Sequence, residues 1–230
     1  MSVFVTGDTH GVLHRLSNKN WKTAKDLTEN DYVIIAGDFG LIFHPETSKE
    51  EKWWLAWLED RPFTTLFVDG NHENHERLKD LPVVMKFGGA VGKVSDKVFH
   101  LKRGEIYNIC DKKILTFGGA ESVDKLYRIE GISWWREEVP SYYEMDSCLA
   151  NLELRGYEVD YIIAHTCPLT LSKMLAAKLA LALRDTDPTT KMLEHIISIT
   201  KFSDFYCGHW HIDEDYGKYH FLYKNIVQIV

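Results

Sequence analysis

Short runs of β-branched and aromatic residues recur along the chain, and each closes on glycine and polar side chains. Residues 2–6 run into Gly7, Asp8, His10 and Gly11, and Tyr32–Ala36 runs into Gly37 and Asp38. Residues 65–68 run into Asp69, Gly70, Asn71, His72 and Glu73. Further on, Tyr161–Ala164 meets His165, and residues 205–207 meet Gly208, His209 and His211. Runs this short, stopped by Gly and Asp, predict buried strands. Helical spacing appears over residues 48–60, where Trp53, Trp54, Trp57 and Leu58 follow a cap at Thr47 or Ser48. A helical pair is predicted over 169–183 and 189–200, parted near Asp187 and Pro188. Residues 98–101, 105–109 and 113–117 suggest consecutive antiparallel strands, and 219–230 a closing hairpin. The stretch 118–152 is the least regular and is the best place for a functional loop.

Strands alternating with helices, together with an antiparallel middle and end, predict an α/β fold. The expected arrangement is two packed mixed β-sheets flanked by helices, a four-layer αββα sandwich. With no internal repeat and no Pro/Gly-rich linker, residues 1–230 read as a single domain, large enough to bury a core without covalent staples.

Composition narrows the setting but not the chemistry. Four cysteines without a CxxC pair, and an N-terminus lacking a basic region and a long apolar run, point to reduced thiols and a cytoplasmic protein. No stretch is apolar enough to predict a membrane span. A net charge of −7 argues against long nucleic acid as a partner. It leaves room for a small phosphorylated substrate, because bound divalent ions would reverse the local field. Nothing in the sequence fixes an oligomeric state.

The informative feature is where the polar side chains fall. Asp8, His10, Asp38, Asn71, His72, His165, His209 and His211 all sit at or just past the C-terminal end of a predicted strand, the edge where open α/β sheets bind ligands. Asp8 with His10, and His209 with His211, are spaced two apart, which puts each pair on one side of an extended chain end. Carboxylate and amide oxygens mixed with imidazoles suit Mn, Fe, Zn or Mg. Asp38 stands where a carboxylate could bridge two ions. Any one of these motifs alone is most simply a polar turn; a turn explanation must hold for all of them at once, in order, each at a strand end.

Asp8-x-His10, Gly37-Asp38, Gly70-Asn71-His72-Glu73, His165 and Gly208-His209-x-His211 together resemble the signature of the calcineurin-like metallophosphoesterase superfamily. The resemblance implies two sheets flanked by helices with a di-metal site between them. It implies one ion on Asp8, His10, Asp38 and His211, and a second sharing Asp38 and adding Asn71, His165 and His209. His72 would stay off the metals as the proton donor to the leaving group, with a hydroxide bridging the two ions as nucleophile. Mn is the expected metal pair, with Fe, Zn or Mg as alternatives.

One departure stands out. Asp38 is followed by Phe39 and Gly40, whereas the phosphoprotein phosphatase branch carries a further Asp and Arg there. The partner that orients His72 is therefore open, with Asp69 and Glu73 as candidates. Arg128 or Lys125 could pair with phosphate, Trp134 or Trp135 could stack on a flat group, and His44 or His75 could touch substrate. The reading is a metal-dependent phosphoesterase, a phosphodiesterase on a small or nucleotide-like substrate. Alternatives are a phosphomonoesterase or protein phosphatase, a nuclease, and a metal-binding scaffold without turnover.

Overall fold

The computed structural model describes residues 1–181 and 187–230 of the chain. In chain order the strands are β1 (Val3–Thr6), β2 (Tyr32–Ala36), β3 (Thr64–Val68), β4 (Val83–Lys86), β5 (Gly89–Lys93) and β6 (Val98–Leu101). There follow β7 (Ile106–Ile109), β8 (Lys112–Phe117), β9 (Tyr161–Ala164), β10 (Asp204–Cys207), β11 (Glu214–Tyr216), β12 (Tyr219–Phe221) and β13 (Ile226–Gln228). The helices are α1 (Lys49–Glu59), α2 (His75–Lys79), α3 (Tyr142–Leu154), α4 (Leu169–Lys178) and α5 (Pro188–Ile199).

Two mixed sheets form, in the orders β13-β1-β2-β3-β6-β5-β4 and β11-β12-β10-β9-β8-β7. Alternation along each strand divides its side chains between two cores. Val3, Val5, Ile34, Leu66 and Val68 face Tyr107, Ile114, Ile163 and Tyr206 of the other sheet, so the sheets pack on one another. The alternate residues point outward. Phe4, Val33, Ile35 and Phe67 meet Trp54 and Leu58 of α1, while Leu115, Phe117, Ile162 and Phe205 meet α3, α4 and α5 through Cys148, Leu152, Leu175, Leu193 and Ile196. The result is helix, sheet, sheet, helix.

Helix starts follow their sequence cues. Ser48 caps α1 by accepting from the Glu51 N–H at 3.0 Å. Asp187 caps α5 through the Thr189 N–H at 2.8 Å, with Pro188 at the first helical position, where its missing N–H costs nothing. Trp54 and Leu58 are buried while Trp53 lies on the surface, so only part of the tryptophan cluster is core.

Four expectations change. The predicted closing hairpin does not form: β12 pairs with β11 and β10, while β13 crosses to the other sheet and pairs with β1. The expected consecutive strands divide similarly, because β6 lies parallel to β3 whereas β7 and β8 form an antiparallel pair in the second sheet. The stretch expected to be irregular contains α3, opened by a capping box in which Ser141 and Glu144 satisfy each other's backbone N–H groups. The predicted helix over 169–183 ends at Lys178, and residues 182 and 183 of that expectation lie outside the described residues.

Candidate metal centre

The parallel strands β1, β2 and β3 of one sheet and β9 and β10 of the other end at the same place. Each delivers its polar residue in the turn that follows. Four of these residues hold left-handed backbone: His10 and Asp38 at φ 46°, His209 at 66° and His211 at 52°. Asp and His tolerate that region better than most residues, but it still costs on the order of 1–3 kcal/mol each. Two glycines make room. A Cβ on Gly70 would collide with Asp38 Oδ1, and one on Gly208 with Asp8 Oδ1.

Among the described residues, three overlapping groups of side chains have ligand atoms within 4.8 Å of one another: Asp8 with His10 and His211, Asp8 with Asp38 and His165, and His10 with Asp38 and His72. His211 Nε2 lies 2.9 Å from Asp8 Oδ2 and 3.0 Å from His10 Nε2. His165 Nε2 is 3.3 Å from Asp38 Oδ1 and 3.2 Å from Asn71 Oδ1. His209 joins through its ring, 4.9 Å from that of His165, and through its backbone N–H, which donates to Asp8 Oδ1 at 2.9 Å.

The hydrogen bonds say what this arrangement accommodates. A carbonyl can only accept, so His165 Nδ1, 3.1 Å from Ala36 O, carries the ring proton. Nε2 is then a lone pair, and it faces the Asn71 amide oxygen and Asp38 Oδ1, which already accepts from the His72 N–H at 2.8 Å. Three ligand atoms converging in this way suit a cation. Electrostatics agrees. Burial and the neighbouring Asp8 push the Asp38 carboxyl well above its usual range. Burial also pushes Asp8 upward, but His211, His165 and the His209 N–H outweigh it and hold Asp8 low. Two buried carboxylates this close ionise together only when positive charge joins them. Burial keeps His209 near a pKa of about 3 and lowers His165, so both are neutral imidazoles ready to ligate.

His72 sits at the rim. Its backbone N–H donates to Asp38 Oδ1 at 2.8 Å, and its ring meets the His10 ring edge-on at 4.8 Å. Neither Asp69 nor Glu73 orients it. Asp69 is engaged by His100 Nε2 at 3.0 Å and Arg103 Nε at 2.8 Å. Glu73 accepts from the Gly40 and Gly70 N–H groups at 3.1 and 2.6 Å, stapling two site loops together. Burial raises the Glu73 pKa to about 8. The group at the His72 ring is Arg128, whose Nη2 is 3.1 Å from Nε2. Arg128 is itself held by Asp124 at 2.8 Å and by the Ser133 carbonyl at 3.1 Å. Burial first, then the Arg128 charge, hold the His72 pKa at about 3, so the ring accepts from the guanidinium.

The other substrate candidates separate. Trp135 is buried, 2% exposed, against Phe43, which removes it as a stacking platform. Trp134 lies under the Lys125 ammonium, 4.7 Å from the ring centroid. Lys125 itself pairs with Glu138 and Glu121, at 3.0 and 3.2 Å. His75 is buried and bonded to Gly70 O at 3.1 Å, so it braces the loop instead of facing substrate. His44 lines an open cleft of about 210 Å³ with His10, Gly40, Phe43, Ser48 and His72. No motif or spacing marks Arg15, which donates to Asp8 O at 2.7 Å, or Tyr223, which stacks on His211 at 4.6 Å. Ser122 and Glu138 lie in the segment expected to be a functional loop, but no motif or spacing marks them.

Among the described residues no helix is long and apolar enough to cross a membrane. The calcineurin-like phosphoesterase family model matches residues 1–169. A lariat debranching enzyme of Schizosaccharomyces pombe is 27% identical over 183 residues, which cover 73% of this chain and 37% of that protein. The chain thus corresponds to little more than a third of that relative. His209 and His211 lie beyond the residues the family model matches, and the fold returns them to Asp8 and His165. Matched over most of its length, the chain belongs to the calcineurin-like phosphoesterase family.

Proposed function

We propose that the chain is a phosphodiesterase acting on a small or nucleotide-like substrate. In this reading Asp8, His10, Asp38 and His211 hold one divalent ion, and Asp38, Asn71, His165 and His209 hold a second, Mn being the expected metal. The ions would supply Lewis-acid polarisation of the phosphate and acidify water.

The observation that carries the diester reading is the pairing of Arg128 with His72. The guanidinium at His72 matches the single negative charge of a diester, whereas a monoester dianion calls for more positive charge. A phosphate entering between the two would draw Arg128 onto its oxygens and place negative charge beside His72. That raises the affinity of the imidazole for a proton, which it then delivers to the leaving oxygen. The cleft beside His72, smaller than the ~300–1,000 Å³ of common ligand pockets, supports a small group there. Similarity to a lariat debranching enzyme points toward nucleotide-like substrates, and the charge of −7 points away from long polymers.

Hydrolysis of bis(p-nitrophenyl) phosphate and p-nitrophenyl phosphate by metal-stripped protein, with Mn²⁺ restored, tests this. The diester is expected to turn over faster. Arg128→Ala should lower kcat/KM about 10–100-fold, the worth of a charged hydrogen bond, and His72→Ala should lower kcat about 10²–10⁴-fold. Preference for the monoester would replace the diester reading with a phosphatase, and an unaffected Arg128→Ala enzyme would remove Arg128 from the site.

A further inference from the structure

We propose that Ser122 and Glu138 determine which end of the Asn71 amide faces the second metal position, and so tie metal binding there to the docking of segment 118–140. The inference rests on the reading of Asn71 as a ligand.

Glu138 is fully buried, and its carboxylate accepts from the Ser122 backbone N–H at Oε1 and from the Ser122 hydroxyl at Oε2, each at 2.8 Å. Lys125 Nζ, 3.0 Å from Oε1, compensates the charge. A carboxylate only accepts, so the single Ser122 hydroxyl proton is committed to it. The Ser122 oxygen then has lone pairs alone to offer Asn71, whose Nδ2 is 3.2 Å away. That contact can run in one direction, from Asn71 to Ser122. The amide is thereby fixed with Oδ1 toward His165 Nε2, which also faces Asp38 Oδ1. Turned over, Asn71 would present an NH₂ group, which has no lone pair for a metal. Without the Glu138–Ser122 pair, both orientations of the amide remain open.

The same segment supplies the guanidinium at His72. Arg128 lies six residues after Ser122 in the chain, and the Gly119 N–H donates to Asp69 O at 2.8 Å beside the Asn71 loop. Docking of the segment and occupation of the second metal position therefore favour one another, and the coupling is reciprocal. Ser122 and Glu138 are positioning residues: they touch neither metal nor substrate.

The test is Mn²⁺ titration of the full chain by calorimetry, with electron paramagnetic resonance to detect a spin-coupled pair. Ser122→Ala deletes the acceptor. Glu138→Gln keeps the shape but offers an NH₂ that can donate to Ser122, freeing the hydroxyl to turn toward Asn71. Both variants should bind one Mn²⁺ as the wild type does and the second about 10–100-fold more weakly, with loss of the coupled signal. Ser122→Thr should restore both. Mn²⁺ should slow amide exchange across residues 119–140 in the wild type and much less in Ser122→Ala. Wild-type binding of both ions by Ser122→Ala and Glu138→Gln, while Asn71→Ala loses one, would overturn the inference alone. If Asn71→Ala also binds both, the ligand assignment fails and the inference with it.

Discussion

The residues that converge at the strand ends are held in conformations that an isolated chain avoids. His10, Asp38, His209 and His211 all have positive φ, and each side chain is presented toward the others by that turn. The strain is sustained by surrounding contacts, such as Glu73 stapling the Gly40 and Gly70 amides and Arg15 holding the Asp8 carbonyl. It should appear as instability unrelated to contacts. Replacing His211 removes the same partner from Asp8 whether the new residue is Gly or Ala, so their difference isolates the backbone. Metal-free His211→Gly is expected to be about 1 kcal/mol more stable than His211→Ala in denaturant unfolding. Equal stabilities, or a more stable alanine variant, would mean that the turn is not strained. At this scale the sequence was most informative about ligand-type residues, because Asp8 with His10 and His209 with His211 declare themselves by spacing and by the glycines beside them. Ser122 and Arg128 reach Asn71 and His72 across 51 and 56 residues of chain, and such contacts leave no periodic trace.

At the scale of elements, the turn after β3 hangs on a buried charge network. Arg103, in the crossing between the two sheets, donates to Asp69 through Nε at 2.8 Å and to the Glu137 carbonyl through Nη2 at 2.8 Å, and lies 3.4 Å from Glu144 at the start of α3. Burial alone would raise the Asp69 pKa, but Arg103 and His100 hold it far below the carboxylate range. Removing one member of so enclosed a pair strands the other. Arg103→Met is therefore expected to destabilise the protein by about 3–5 kcal/mol, and adding Asp69→Asn should recover part of that loss. An unfolding free energy within about 1 kcal/mol of wild type for Arg103→Met would show that the network carries little. Elements with one strong signal were legible. β1, β2, β3, β9 and β10 are apolar runs stopped by Gly or Asp, and α5 announces itself through Asp187 and Pro188. Helix α3 was missed although Ser141 and Glu144 spell a capping box, because its buried face is only Met145, Cys148 and Leu152. The partners of β12 and β13 could not be read from alternation, since two strands close in sequence show the same pattern whether they pair together or join different sheets.

At the scale of the whole molecule, two sheets built from distant parts of the chain bring their strand ends to one edge. The first sheet contributes Asp8, Asp38 and Asn71, and the second His165, His209 and His211. Neither half carries all of the proposed ligands. The packing of the sheets, through Val5, Ile34, Leu66, Ile114 and Ile163, is thus what assembles the centre. The most direct measurement is the number of metal ions per chain, read by elemental analysis after Mn²⁺ loading and dialysis, alongside phosphodiester turnover, for the wild type and Asp38→Asn. Two ions per wild-type chain, with fewer ions and lost turnover in a folded Asp38→Asn protein, are expected. Wild-type metal content and turnover in Asp38→Asn would contradict a centre shared through Asp38.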